Sequence, residues 1–535
     1  MIFSNLFSTA VLLALMLASV EAASKRSMIQ MISDGFGPAS ETLARNYLHA
    51  QKNQTWDARL PLDKHLVGTI RTRSTDSLVT DSAASATAYS CGMKSVNGYI
   101  GVDIDQVPCG TVMEGAKAKG FHTALVTTSR ITHATPASYS AHINDRDLEN
   151  EIASQQLGGY VLGRQADILW GGGRRHFLPK SDKNSEREDD RNLIDEAAKA
   201  GWTIVQNKTQ FDTFQMGQNV SFPSLGLFTN SHMAYEIDRD DSLEPSLTDM
   251  SITALTALKK ADEPFFIMIE GARIDHAAHN NDPIGHIYDI LEYNRAFEAV
   301  AKWVDENSSD DHEILLVSTS DHECGGLALS WQRPEDQTGD YAWYPDVMFN
   351  AKHSTEYLAN QAQKDLVNKT ESDMTQYMRD TIIKENLGIE DVSDDEVKRA
   401  VELVSVDDWV PLAIWLAGIV NWRAHLDWSS DGHSGVDVNL YVHSKDNNAT
   451  IAQQFMGNHE NTWIGNFTSS FLQLDLSSVS KKLNNDSNSV VPGQGSANHS
   501  TPTGQYEPGK VQRQVLPNPL KNGRRSLLSH LRFHD

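Results

Sequence analysis

The sequence predicts an α/β fold of three layers, in which helices cover both faces of a large, mostly parallel central sheet. Short apolar runs alternate with helical patterns along most of the chain, as in other α/β proteins. Several of these runs are continuously apolar, which is typical of strands that are covered on both faces. Ionisable residues follow the ends of the runs, at the sheet edge where binding sites of open α/β sheets lie.

The elements alternate in chain order. The predicted strands are 27–33, 67–71, 121–128, 166–170, 264–269, 313–320 and 436–442. Helical patterns begin near Glu41, follow Ser82, cover 245–260 and begin again after Asp282, with Pro283 in the first helical turn. We interpret the apolar pair Leu78-Val79 as the end of a further buried strand.

Length and composition indicate one large domain, expected over residues 27–475, with an insertion. Hydrophobic residues make up 39% of the 535 residues and charged residues 22%, as in globular proteins. Residues 335–426 interrupt the alternation, and we interpret them as a helical insertion that covers the site or meets a second subunit. From residue 477 the chain is rich in Ser, Asn, Pro, Gly and Gln, which predicts a disordered tail.

The formal net charge of −25 argues against nucleic acid as a partner. An anion site in so acidic a protein would need local positive charge from metals or arginine. Three cysteines allow one disulfide and leave one thiol over.

Residues 6–20 form an apolar run that ends at Val20-Glu21-Ala22, which predicts a signal peptide over 1–22. An uncleaved anchor is the alternative. Entry into the secretory pathway is also favoured by nine N-x-S/T acceptors, which are Asn53, Asn207, Asn219, Asn307, Asn368, Asn448, Asn466, Asn485 and Asn498. We therefore expect a secreted protein, with a membrane-anchored or vacuolar location as the alternative.

Ser82 is the first candidate for chemistry. Asp81 and Ser82 precede an alanine-rich run that favours a helix, so Ser82 should lie at a helix N-terminus. Free backbone N–H groups and the helix dipole attract anions there, and a hydroxyl in that position could attack a phosphate. Taken alone, Ser82 would be an ordinary residue that caps a helix.

A group of carboxylates and imidazoles forms the second candidate. Asp275 and His279 are four residues apart and would share one face of a helical turn. Asp321 and His322 follow a predicted strand, and His433 lies in a glycine-flanked turn. Nitrogen and oxygen ligands without thiolates favour Zn²⁺.

Three further residues offer only oxygen atoms and favour Mg²⁺; they are Asp34, Thr135 and Glu270. Each residue alone has an ordinary interpretation, because an aspartate after a strand is often only a turn former. Their recurrence at several strand ends makes a metal site the better interpretation.

In order along the chain, these motifs resemble those of the metal-dependent alkaline phosphatases, and the resemblance covers roughly residues 28–442. The matching motifs are Asp34-Gly35-Phe36-Gly37, Asp81-Ser82-Ala83-Ala84-Ser85-Ala86-Thr87-Ala88, His133-Ala134-Thr135-Pro136, Gly171-Gly172-Gly173, Glu270-Gly271, Asp275 to His279, Asp321-His322 and Gly432-His433-Ser434-Gly435. The sequence Gly435-Val436-Asp437-Val438 is more similar to that of fungal or other eukaryotic members than to that of bacterial ones.

The resemblance implies hydrolysis of phosphate monoesters through a phosphoserine at Ser82, with two Zn²⁺ and one Mg²⁺, in a homodimer. One zinc would be held by Asp275, His279 and His433. The second would be held by Asp34, Asp321, His322 and, during turnover, Ser82. Asp34 would bridge to Mg²⁺, completed by Thr135 and Glu270.

Arg146 matches the phosphate-binding arginine of the family, and Asp81 could orient it. A surface salt bridge with Asp145 or Asp147 is the alternative for this arginine. His133 and His276 stand where bacterial members often have aspartate and lysine, and we expect both beside the metal ligands.

Cys324 stands where a histidine is common in the family. Cys324 therefore leaves the surroundings of the zinc site open. His133 and His276 leave the identity of the third metal open in the same way.

Two other functions are compatible with parts of the sequence. A sulfatase or phosphodiesterase could share the fold, but the sulfatase motif Cys-x-Pro-x-Arg is replaced here by Asp81-Ser82-Ala83-Ala84-Ser85. A secreted glycoprotein that stores metal or binds phosphate without catalysis is the other alternative. Such a protein should have lost a metal ligand or the nucleophile, and this chain keeps a suitable residue at every one of those positions.

Overall fold

The computed structural model describes residues 25–332, 338–406 and 408–485. The predicted signal peptide, the acceptor Asn498 and most of the predicted tail lie outside the described residues.

Fourteen strands are present in the described part of the chain, and ten of them form one sheet. The strands are β1 Lys25–Ser33, β2 Leu66–Arg71, β3 His122–Arg130, β4 Ile168–Gly172, β5 Thr203–Val205, β6 Ser224–Leu227, β7 Phe265–Gly271, β8 His312–Thr319, β9 Glu323–Cys324, β10 Leu327–Ala328, β11 Asp427–Trp428, β12 His433–Ser434, β13 Val438–Ser444 and β14 Gly457–Glu460. The sheet order is β14-β2-β13-β8-β1-β7-β3-β4-β6-β5. Strand β13 runs antiparallel to both of its neighbours, and the other pairs of this sheet are parallel.

Helices connect the parallel strands. The α-helices are α1 Pro38–Lys52, α2 Ser82–Cys91, α3 Val112–Ala118, α4 Ala134–Ser140, α5 Glu149–Gln156, α6 Leu193–Lys199, α7 Lys208–Asp212, α8 Leu247–Lys260, α9 Arg273–His279, α10 Pro283–Asn307, α11 Thr355–Asp365, α12 Glu371–Tyr377, α13 Asp394–Val404, α14 Val410–Ala424, α15 Ala449–Phe455, α16 Thr462–Leu472 and α17 Leu476–Asn485. A π-helix, Met378–Asn386, continues α12, and four short 3₁₀ turns lie at Leu62–Lys64, Arg174–His176, Pro345–Met348 and Lys445–Asn447.

Two apolar cores separate the sheet from its helices, which confirms the predicted three-layer fold. Alternate side chains of β1 enter opposite cores, with Ile29 and Met31 on one face and Met28 and Ile32 on the other. Helices α1, α8 and α10 cover the first face, and α2, α3, α5, α6, α15 and α16 cover the second. Because both faces are buried, the central strands are apolar throughout rather than alternating.

The described residues between 338 and 426 form helices α11 to α14 around a third apolar core. That core also takes in Leu43 of α1 and Ile284 of α10, so the segment packs over the ends of two sheet-covering helices. Asp282 strengthens this junction: its side chain caps α10 and accepts a hydrogen bond from the Thr355 backbone N–H at 2.7 Å.

Two sequence-based predictions are wrong in detail. Leu78 and Val79 are exposed and belong to no strand, because the preceding stretch folds into a side-chain-bonded turn in which Ser74 Oγ accepts a hydrogen bond from Ser77 N–H. The tail was predicted to be disordered from residue 477, but α17 extends to Asn485. Val479 and Leu483 give this helix an apolar face that is buried despite its polar composition.

One disulfide joins Cys91 to Cys109, and Cys324 remains a buried free thiol. In the ranges that the structure describes, no helix is both long and apolar enough to cross a bilayer. The exposed N-x-S/T acceptors are Asn53, Asn207, Asn219, Asn368, Asn448, Asn466 and Asn485, whereas Asn307 is half-buried.

Candidate active site

Three neighbouring strands at the centre of the sheet carry carboxylates to one edge. Asp34 follows β1, Glu270 lies near the end of β7, and Asp321 follows β8. The register pairs Ile32 of β1 with both Glu270 and Thr319, so the three carboxylates leave the sheet at almost the same level. All three are fully buried, and buried carboxylates are rare unless they are paired.

Ser82 is the first residue of α2 and faces this cluster. The Asp81 side chain caps the helix by accepting a hydrogen bond from Ala84 N–H at 2.9 Å. Ser82 Oγ lies 3.1 Å from His322 Nε2, although the two residues are 240 positions apart. The serine is almost fully buried, so the fold holds its hydroxyl against the cluster rather than towards solvent.

Asp275, His279 and His433 converge on one point. Helix α9 places Asp275 and His279 one turn apart, with Asp275 Oδ2 3.1 Å from His279 Nε2. His433 Nε2 lies 3.3 Å from His279 Nε2 and 3.7 Å from Asp275 Oδ1. The far ring nitrogens of both histidines contact backbone carbonyls, at Asp431 for His279 and at Thr80 for His433. These contacts hold the inner nitrogens towards the common point, as the outer partners of metal-binding histidines do.

Asp34, Asp321 and His322 form a second group beside Ser82. His322 Nε2 lies 3.0 Å from Asp321 Oδ2 and 3.5 Å from Asp34 Oδ1. Neither carboxylate oxygen of Asp34 has a hydrogen-bond partner among the described residues. Burial and then repulsion from Asp321 raise the pKa of the Asp34 carboxyl well above its usual range.

A third group offers oxygen atoms only. Thr127 and Ser129 hydroxyls donate to Glu270 Oε2, while Glu270 Oε1 and Thr135 Oγ1 have no hydrogen-bond partner in the described part of the chain. Burial raises the pKa of Glu270 to about 7. Repulsion from Glu270 also raises the pKa of the Asp34 carboxyl, so these two carboxylates lie close together.

The three groups fit metal ions. Ligands at 2.0–2.1 Å from a tetrahedral zinc are separated by roughly 3.4 Å, and the separations in the Asp275 group bracket that value. Buried polar atoms are normally paired, and the atoms without a hydrogen-bond partner among the described residues include oxygens of four predicted ligands, Asp34, Thr135, Glu270 and Asp275. A bound dication would satisfy these atoms and favour ionised carboxylates.

Arg146 reaches into the same cavity. Its Nη1 donates to Asp81 Oδ2 at 3.2 Å, and its Nη2 to His133 Nε2 at 3.2 Å. Asp81 also accepts a hydrogen bond from Gly98 N–H, so one carboxylate holds the helix cap, a turn and the arginine. Arg146 therefore pairs with Asp81 and is not limited to a surface salt bridge with Asp145 or Asp147.

A histidine cluster near Arg146 contains one residue that the sequence analysis missed. His232 lies with His133 and His276, and the ring centres of His232 and His276 are 4.1 Å apart. Burial is the largest cause that lowers the pKa of all three imidazoles, and nearby arginines lower it further. His232 follows the short strand β6, which was not predicted, so no predicted strand end pointed to it.

A cavity of about 630 Å³ lies over Ser82 and the ligands. The predicted insertion covers part of it, because Glu356, Asn360, Trp409 and Val410 line the wall. Glu356 also forms an ion pair with Arg273 of α9 at 2.9 Å, which ties the insertion to a ligand-bearing helix. Whether the same segment meets a second subunit stays a prediction.

Comparisons with known proteins identify the family. A family model described as alkaline phosphatase matches residues 25–474. The repressible alkaline phosphatase of Saccharomyces cerevisiae is 44% identical over 474 residues, covering 85% of this chain and 82% of that protein. An alkaline phosphatase of Schizosaccharomyces pombe is 41% identical over 462 residues, covering 85% and 83%.

Solved structures give the same result. The cold-active alkaline phosphatase of the psychrophile Shewanella sp. has a TM-score of 0.68 and 29% identity, covering 83% of this chain and 99% of that one. The Thermus thermophilus alkaline phosphatase has a TM-score of 0.68 and 26% identity, covering 85% and 92%. The chain therefore belongs to the alkaline phosphatase family and is a hydrolase that acts on phosphate monoesters.

Proposed function

We propose that Ser82 is the nucleophile of this phosphomonoesterase and that the three ligand groups hold two Zn²⁺ and one Mg²⁺. Asp275, His279 and His433 would hold one zinc, and Asp34, Asp321 and His322 the other. Asp34, Thr135 and Glu270 would hold the magnesium. The observation that carries this proposal is the 3.1 Å approach of Ser82 Oγ to His322 Nε2 inside a buried group of unpaired ligand atoms.

The proposed reaction has two steps, and Ser82 takes part in both. Ser82 Oγ gives up its proton and forms a bond to phosphorus while the P–O bond of the ester breaks, and the leaving oxygen takes up a proton and departs as the alcohol. Water next cleaves the phosphoserine and restores the hydroxyl, with release of phosphate. Metal ions at these positions supply Lewis-acid stabilisation of negative charge and lower the pKa of a hydroxyl group.

Arg146 binds and orients the phosphoryl group. Its planar fork can donate to two non-bridging oxygens at once, which a lysine cannot do. Asp81 and His133 hold the guanidinium from two sides, so it is positioned before the substrate arrives. The free N–H groups at the start of α2 add positive potential at the same place.

The test compares Ser82→Ala with Ser90→Ala. Both serines lie in α2, but Ser90 Oγ donates to the Ser138 backbone carbonyl at 2.7 Å and does not line the cavity. We expect Ser82→Ala to lose nearly all p-nitrophenyl phosphate hydrolysis while its metal content, measured by mass spectrometry, stays near that of the unmodified protein. Ser90→Ala should remain active. A Ser82→Ala protein with ordinary turnover would refute the assignment.

Metal removal tests the cofactor proposal. Exhaustive chelation should abolish activity, and zinc with magnesium should restore it more fully than either metal alone. Metal analysis of the reloaded protein should approach two zinc ions and one magnesium ion per chain. Full activity of a metal-free protein would contradict the proposal.

The remaining proposals concern the whole molecule. We infer a homodimer, entry into the secretory pathway through residues 1–22 and glycosylation at some of the exposed acceptors. The family resemblance supports the first, and the apolar N-terminal run and the acceptors support the others. Light scattering of the purified protein tests the dimer, and N-terminal sequencing of mature protein from the producing cell distinguishes a cleaved signal from a retained anchor.

A further inference from the structure

Cys324 is a buried thiol beside the proposed zinc ligands. The chain contains three cysteines, and Cys91 and Cys109 are joined in a disulfide. Cys324 is 0% exposed, so it is not positioned to pair with another protein or to react freely with solvent. Its thiol is available only to groups inside the site.

The local fold places Cys324 directly opposite a metal ligand. Strands β9 and β12 form a two-stranded antiparallel ribbon in which Cys324 and His433 are register partners. Directly opposed residues of such a ribbon have Cβ atoms about 4.5–5.5 Å apart and project to the same face. Cys324 N–H also donates to the Gly35 carbonyl at 3.2 Å, which ties the ribbon to the loop that follows Asp34.

The sulfur shares a centre with three predicted ligands. Cys324 Sγ and one donor atom each of Asp275, His279 and His433 all lie within 4.8 Å of one another. Within this group Asp275 Oδ1 is buried and has no hydrogen-bond partner among the residues described. The three oxygen and nitrogen atoms define one face of a tetrahedron, and the fourth donor of a tetrahedral site must lie on the other side of its centre.

We infer that Cys324 Sγ is a fourth protein donor to the metal ion held by Asp275, His279 and His433. This inference rests on the proposed metal centre. Binding converts the thiol to a thiolate, the sulfur–metal bond forms and the proton passes to solvent. A thiolate among the donors selects zinc-like ions over magnesium.

The consequence for the enzyme is tighter retention of this ion. Four protein donors would hold the ion more tightly than three, and contact with a substrate oxygen would then require expansion to five-coordination, which zinc allows. The alternative is that the thiol keeps its proton and interacts only with Asp275 and with the Gly432 carbonyl, which lies 3.8 Å from Sγ. The two possibilities differ in whether a sulfur–metal bond exists.

Cobalt substitution distinguishes them without turnover. Co²⁺ bound to a thiolate gives an intense sulfur-to-metal charge-transfer band in the near ultraviolet, whereas nitrogen and oxygen ligands do not. Thiol titration of the unfolded protein should first find one free thiol per chain, so any such band must come from Cys324. We expect the band in the cobalt-loaded protein, and its loss in Cys324→Ser and Cys324→Ala loaded with the same amount of cobalt.

Metal release gives a second measurement. Zinc should pass from Cys324→Ser to a chelator more than about 100-fold faster than from the unmodified protein, since loss of an outer partner of a metal ligand alone accounts for roughly 10–100-fold. Should neither variant fold, the band in the unmodified protein still decides the question.

A cobalt-loaded protein that shows visible ligand-field bands but no charge-transfer band would overturn the inference. That result would leave the Ser82 proposal intact. Active Ser82→Ala protein would refute the nucleophile and leave the sulfur–cobalt band unaffected.

Discussion

Substitution of Gly35 by alanine should damage the zinc site although Gly35 binds no metal. Gly35 has φ +74° and follows Asp34 in the turn after β1. A Cβ atom added there would lie 2.5 Å from Asp275 Cα and 2.6 Å from Asp275 Oδ1. Carbon atoms pack at about 3.5–4.0 Å, so the backbone that carries Asp275 must move.

The size of the effect follows from two contributions. Alanine in the left-handed region costs about 1 kcal/mol, and overpacking against a rigid neighbour costs roughly 1–3 kcal/mol. We therefore expect Gly35→Ala to lower the free energy of unfolding by about 2–4 kcal/mol. Because Asp275 is displaced, zinc affinity should fall by roughly 10–100-fold, as it does when the support of a ligand is lost.

Gly120→Ala is the matched control. Gly120 has φ +88°, and among the described residues no atom lies within 4 Å of its added Cβ. This variant carries the backbone strain without the clash, so it should lose only about 1 kcal/mol and keep its zinc. Urea denaturation and competition with a chromogenic chelator measure both quantities. Equal stability and equal zinc affinity in the two variants would refute the role of Gly35 as space for Asp275.

Two further predictions concern charge. Arg146→Lys keeps the charge but loses the two-pronged contact, so kcat/KM for p-nitrophenyl phosphate should fall roughly 10–100-fold and the inhibition constant of phosphate should rise; unchanged kinetics would contradict this. For Glu41, burial and then Asp63 raise the pKa from 4.5 to about 8. Its contribution to stability is present below the unfolded pKa and is lost as pH rises towards 8, by at most about 1.4 kcal/mol per pH unit. Glu41→Gln should remove that loss, so urea denaturation between pH 5 and 8 should show a growing advantage of the variant; parallel curves would contradict the buried, protonated state.

The sequence was most informative where the sheet dictates position. Asp34, Glu270 and Asp321 could be grouped because parallel strands of one sheet end at one edge, and that edge can be inferred from the apolar runs alone. That His433 lies beside Asp275 and His279 could be predicted mainly from the family resemblance, because a glycine-flanked turn does not determine the direction of the histidine ring. The position of the ring is set by the register between β9 and β12. Strands of two residues are too short to give a periodic sequence pattern, so this register could not be predicted.

Other features depend on contacts that a linear pattern does not contain. Leu78 and Val79 resembled a strand end because they are apolar, yet the side-chain hydrogen bonds of the preceding turn keep them at the surface. Trp409 reaches the cavity because the insertion folds onto α1 and α10. The sequence indicates Cys324 only as a departure from the family pattern. Its proximity to Asp275, His279 and His433 is visible only in the folded structure.

The most direct test of the central claim is to map the phosphoryl group during turnover. Enzyme mixed with a ³²P-labelled monoester, quenched in acid within one turnover and digested should yield one labelled peptide, with the phosphate on Ser82. Label on another residue, or no labelled peptide from enzyme that turns over the same substrate, would contradict the account.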